Sequence, residues 1–155
     1  MKIFSLFFLR VALGMMFFYA GITKVVDPTW SAYGYLMNAK TFPGLFQWFA
    51  SPGMLPLINV ANEWGLTLIG VALLLGIGVR IASMGGALLM VLYYLPILDG
   101  VYPNTHSLIV DEHVIYFASF LILIAFKAGR VYGLEKWLHA LPFWSRNPKI
   151  RAILE

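Results

Sequence analysis

Cysteine is absent from the chain, which excludes a thiol relay, a disulfide framework and iron–sulfur ligation by its own side chains. Charge is scarce: Asp, Glu, Lys and Arg make up only 12% of the 155 residues, so no polar stretch is long enough to form a second, water-soluble domain. Also missing are a pair of histidines inside the apolar segments, a glycine-rich dinucleotide fingerprint and a small-x-small cleavage site after the first apolar run. Haem, flavin, Fe–S and a removable leader are therefore not expected, and no metal ligands are assigned. Redox chemistry would have to use a borrowed cofactor or a substrate.

What the chain has instead is apolar surface. Hydrophobic residues make up 61% of it and the mean hydropathy is +0.80, which no ordinary water-soluble domain shows. The formal net charge of +4 does not point to nucleic acid, because the basic residues sit beside apolar segments, where they orient a membrane protein. We read residues 1–155 as one all-α integral membrane domain. Four apolar segments, about 3–26, 55–78, 81–98 and 111–128, each approach the roughly 20 residues needed to span, giving a four-helix transmembrane bundle.

Lys2, Arg80, Lys127, Arg130, Lys136, Arg146, Lys149 and Arg151 fall on one side and Lys40 alone on the other, so both termini are expected in the cytoplasm. The outer loop, 27–54, holds Trp30, Tyr33, Tyr35, Phe42, Phe46, Trp48 and Phe49, punctuated by Pro28, Pro43 and Pro52. It suits an amphipathic cover at the interface, serving either as an anchor or as a lid over an outward-facing pocket. In the cytoplasmic tail, 129–155, GLEKWLHALPFW suits a short amphipathic helix on the membrane surface.

Ionisable residues inside the apolar segments are costly and so informative. Arg10, Gly14, Phe17, Gly21 and Lys24 fall within a stripe of roughly 80° on the first helix, the small residues letting a neighbour approach. Lys24 can snorkel; Arg10, roughly 10 Å inside by helical rise, needs an acidic or carbonyl partner unless it too reaches back to the surface. Glu63 shares a face of the second helix with Asn59, roughly 12 Å below that helix's outer end. Glu112 and Tyr116 form a polar stripe on the last helix, with His113 to one side, while Asp111 there suits a capping role. Lys24, Glu63 and Glu112 with Tyr116 thus come to one layer near the outer face.

These residues in this order carry a resemblance. The pattern Arg10-x3-Gly14-x2-Phe17-x3-Gly21-x2-Lys24-x2-Asp27-Pro28, the segment NEWGLTLIGVALLLGIGVRIA with Glu63 and Arg80, and the DEHVIY opening of the last helix resemble DoxX/DoxD-like membrane proteins. The tryptophan-bearing outer loop and NEWGLTLIG look closer to the DoxD side, the membrane subunit associated with thiosulfate:quinone oxidoreductase. The resemblance implies a four-helix bundle in a prokaryotic cytoplasmic membrane, quinone-linked sulfur oxidation and a companion polypeptide. It carries over Arg10, Lys24, Glu63 and the Glu112/His113 region as family-like polar residues.

Two function classes follow. In a quinone-reactive redox subunit, Phe17 would line an apolar slot, Arg10, Lys24, Asn59 and His113 would bind the ligand, and Glu63 or Glu112 would exchange protons through Tyr116. In a non-catalytic anchor, cargo or maturation partner, the same charges would fix helix register and the aromatic loop would be the contact surface. A small transporter fits less well, since four helices without an inverted repeat make a poor alternating-access machine unless they form a homo-oligomer.

Overall fold

The structure, a computed structural model, describes residues 1–135. The amphipathic helix expected in the tail lies outside the described residues from position 136 onward. Among those described, the fold is all-helical. Its elements are α1 (Lys2–Val25), α2 (Tyr33–Met37), α3 (Pro43–Phe49), α4 (Leu55–Leu75), α5 (Val79–Ile97) and α6 (Glu112–Ala125), followed by a 3-10 turn at Ala128–Arg130.

Three of these, α1, α4 and α5, are long and apolar enough to cross a membrane. Only 22%, 28% and 33% of their most apolar windows are buried inside the protein, so most of each apolar surface faces outward, as lipid contact requires. α6 is apolar but shorter than the 111–128 expected: 14 helical residues rise about 21 Å. Asp111 is its cap, and the chain leaves the helix at Phe126, with Lys127 in the left-handed region (φ 48°). The α4 and α5 helices form a tight antiparallel hairpin because Gly76 (φ 67°) and Gly78 (φ 59°) reverse the chain within three residues, a conformation most side chains resist.

α1 packs along α4, α4 along α5 and α5 along α6, whereas α1 and α6 touch sparsely. Phe17 meets Phe120 between them, edge to face at 5.0 Å. Small residues set the closest approaches. A Cβ on Gly21 would come within 3.0 Å of Thr67 backbone and side-chain atoms, and one on Gly70 within 3.0 Å of the Phe18 backbone. The groove read from the α1 stripe therefore receives α4. On the other side, Gly86 of α5 seats the Phe120 ring of α6.

The 27–54 segment is a folded cover. Ala32, Leu36, Ala39, Phe46 and Ala50 form a second apolar cluster, packed against Trp30, Phe49, Leu55, Ile58 and Leu95. Its polar ties run to both long helices beneath. The Ala32 N–H donates to Asn59 Oδ1 at 3.0 Å, the Lys40 N–H to the Pro96 carbonyl at 2.8 Å, and the Thr41 hydroxyl to the Leu98 carbonyl at 2.6 Å.

Replacing Gly21 or Gly70 by valine should lower stability by about 1–3 kcal/mol, because the added methyls meet backbone that cannot yield. Gly44→Ala, in open space on α3, should cost far less. Thermal unfolding in mild detergent checks the contrast.

Candidate functional site

An open cavity of about 570 Å³ lies where the cover meets one end of α1, α5 and α6. Lys24, Trp30, Tyr35, Asn62, Tyr93, Asp111, Glu112 and His113 contribute its chemistry, drawn from five helices and their connections. A smaller apolar slot of about 150 Å³ runs beside it under the cover, bounded by Leu36, Phe46, Phe49, Ile58, Leu89 and Leu92 among others. Ala32, Tyr35, Asn62 and Tyr93 line both, so the two spaces share one wall.

Helix register brings these groups to a common level. With Gly21 seated on Thr67 and Gly70 on Phe18, the antiparallel α1 and α4 set Lys24 level with Glu63. The α4–α5 hairpin sets Asn62 opposite Tyr93, whose hydroxyl donates to Asn62 Oδ1 at 2.8 Å. Across α5 and α6, the Tyr93 ring meets the His113 ring edge to face at 6.1 Å.

The wall groups are held by further bonds. Tyr35 donates its hydroxyl to the Tyr93 carbonyl. Burial, with Tyr93 and Asp111 nearby, pushes the Tyr35 phenol well above its ordinary range, so it stays a donor throughout the working pH range. Lys24 Nζ donates to the Ala20 carbonyl one turn back at 2.7 Å and stands 5.4 Å from the Trp30 ring centre, leaving ammonium protons for a ligand. Trp30 reaches that position through a turn in which the Thr29 hydroxyl and N–H both donate to Asp27 Oδ1, at 2.7 and 2.9 Å. Those bonds hold the Asp27 carboxyl below the usual carboxylate range. Asp111 caps α6, its Oδ1 accepting from the His113 and Val114 N–H groups, while its Oδ2 pairs with His113 Nδ1 at 2.7 Å.

The residues singled out in the sequence divide between this cavity and other places. Lys24, Glu112 and His113 line it. Asn59 lies one turn beyond, fastening the cover through Ala32 and Ser31. Glu63 is half-buried beside Asn62 and level with Lys24, but is not itself among the lining groups, and no hydrogen bond reaches its carboxylate from the described residues. Tyr116 packs partly buried against the central core, and Phe17 is sealed within it against Phe120.

Arg10 is at the opposite, basic end and wholly buried. Its Nη2 donates to the Tyr132 carbonyl at 3.3 Å, its guanidinium lies against Gly76 and Gly133, and the Glu135 carboxylate acts on it electrostatically. The carbonyl and acidic partners expected of it come from the segment after α6, which also hydrogen-bonds α4 through Leu134 N–H to Leu75 and Glu135 N–H to Gly76.

The DoxX family model matches residues 5–97, more than half the chain, from the first turn of α1 to the end of α5. The chain belongs to the DoxX family. No curated protein and no solved structure matches it. In this DoxX protein Lys24, Asn62 and Tyr93 lie within the matched stretch, while Asp111, Glu112 and His113 lie beyond it.

Tyr35, Asn62 and Tyr93 are wall groups that the sequence pattern does not single out, and Asp111 pairs with His113 beyond its capping role. A signal for two of them was present: Asn62 and Tyr93 stand at nearly equal distances from the Gly76–Gly78 reversal, so an antiparallel hairpin must set them side by side.

Asn62→Leu should cost about 1–3 kcal/mol by leaving the Tyr93 hydroxyl unpaired, and Tyr93→Phe a similar amount by stranding the amide. The double variant should cost clearly less than the two together, which a double-mutant cycle of detergent unfolding checks.

Proposed function

We propose that this DoxX protein is a quinone-linked redox subunit, acting on sulfur compounds such as thiosulfate together with a partner subunit. In this reading α6 joins α1, α4 and α5 as a fourth spanning helix in a prokaryotic cytoplasmic membrane. Both termini are then cytoplasmic, and the cavity opens at the outer face.

One observation carries the proposal: a polar cavity and an apolar slot share a wall of Ala32, Tyr35, Asn62 and Tyr93. A quinone asks for that combination, an apolar channel for its tail and groups able to donate and accept protons at its two oxygens. Lys24 offers ammonium protons at one side, and His113 with the exposed Glu112 offers proton exchange at the other. Glu63, level with Lys24, stands where it can pass a proton between the bundle interior and the cavity.

The balance is simple. Two thiosulfate ions join through a new S–S bond and give up two electrons; the quinone takes those electrons and two protons to become the quinol. With no cysteine in the chain to relay them, the electrons pass directly from the reductant or through the partner.

The test is thiosulfate-driven reduction of a short-chain quinone by protein purified in mild detergent, with and without co-purified partners. Glu63→Gln should lower kcat by about 10²-fold, in the range of a lost acid–base group. Lys24→Met should raise the quinone KM about tenfold, the loss of one charge-assisted hydrogen bond. Folded protein whose turnover ignores both substitutions would overturn the redox reading. The exposed aromatics of the cover, Phe42 and Trp48, would then serve as an anchoring surface for another protein.

A further inference from the structure

A histidine next to a carboxylate is common on protein surfaces, but here the arrangement is enclosed. The Asp111 side chain is 2% exposed, and His113 is 16% exposed where it lines the cavity. Asp111 has two duties at once. Its Oδ1 is held by two backbone N–H groups at the start of α6, which fixes the carboxylate rigidly, and its Oδ2 meets His113 Nδ1 at 2.7 Å. The imidazole also meets the Tyr93 ring edge to face, and Tyr93 is itself pinned through its hydroxyl to Asn62 and through its carbonyl by Tyr35.

We infer that Asp111 is a positioning residue: it keeps the His113 proton on Nδ1, so that Nε2 is the nitrogen that exchanges a proton with the ligand in the cavity. The inference rests on the quinone reading for the identity of that ligand, though not for the geometry. A carboxylate fixed on Nδ1 selects the tautomer in which Nε2 is free, and it compensates the ring's charge when both nitrogens are protonated. The imidazolium gives its Nε2 proton to one quinone oxygen as the two electrons arrive from the reductant. The neutral ring then regains a proton from water at the mouth, beside Glu112. The second proton reaches the other oxygen from Glu63, which is likewise reprotonated from water, while the Lys24 ammonium holds that oxygen by a hydrogen bond. Other groups on the same cavity are Tyr93 from α5, Tyr35 from α2 and Asn104 from the loop before α6; of these, neither phenol nor amide carries a charge to compete with Asp111.

The experiment reads the ring nitrogens and turnover separately. Protein labelled with 15N-histidine, with His113→Gln used for assignment, should show a neutral His113 ring protonated at Nδ1. A saturating short-chain quinone analogue should shift its Nε2 resonance. Asp111→Asn keeps a cap acceptor and nearly the same volume; it should lose the single tautomer and lower kcat about 10- to 100-fold, with the quinone KM within twofold.

A wild-type ring protonated at Nε2 overturns the inference, as does an Nε2 resonance indifferent to the analogue or an Asp111→Asn protein with unchanged kcat. If wild type turns over nothing yet shows the Nδ1 tautomer and the analogue-induced shift, the redox reading falls while the assignment of Asp111 and His113 to the ligand site stands.

Discussion

The contact on which the rest depends is backbone against backbone, where α1 crosses α4 at Gly21–Thr67 and Gly70–Phe18. Lipid tails are as apolar as leucine, so two helices in a bilayer gain little from hiding hydrophobic side chains and must gain by fitting closely. Glycines at the crossing permit that fit and, because no side chain intervenes, leave little freedom to slide. Register then becomes a consequence of sequence position. The same register that levels Lys24 with Glu63 at one end puts Arg10 against Gly76 at the other, so one packing contact distributes the two intramembrane cations to two different environments.

Those environments answer opposite demands. Arg10 cannot shed its charge and is fully enclosed, so the chain returns after α6 to supply the Tyr132 carbonyl and the Glu135 carboxylate, and hydrogen-bonds itself to the exposed end of α4. At the cavity end the polar groups are left partly open. Lys24 satisfies one proton on its own helix, and the tyrosines and asparagines bond one another and hold the cover in place. The same bundle thus holds one closed polar cluster and one open one.

Apolar periodicity made the long helices readable in the sequence, and their centres lie where the pattern put them. Their ends were less readable, because ends are decided by single residues: Gly76 in the left-handed region closes α4 early, and α6 stops at Ala125, just before Lys127 turns left-handed. The polar layer was readable as a set of levels along helices. Which members face one space was not, since that depends on helix rotation and on the cover, whose pairing of Tyr35 with Tyr93 joins positions far apart in the chain. For the same reason Arg10 could be given the kind of partner it needs but not its identity, which lies 122 positions away at Tyr132. Phe17, on the same stripe as the cations, turned out to be core, because its face also meets α6 through Phe120.

The family match ends at residue 97, where α5 ends, yet the cavity is incomplete without α6. The matched stretch supplies a scaffold, a cation in Lys24 and a hydrogen-bonded wall in Asn62 and Tyr93. The stretch beyond it supplies Asp111, Glu112 and His113. The matched residues therefore account for the frame and for one side of the cavity. The other side rests on a helix whose first turn is organised by one carboxylate acting both as backbone cap and as histidine partner. A change confined to that turn would alter the lining of the cavity while leaving the packing of α1, α4 and α5 intact, which separates one wall of the cavity from the stability of the scaffold.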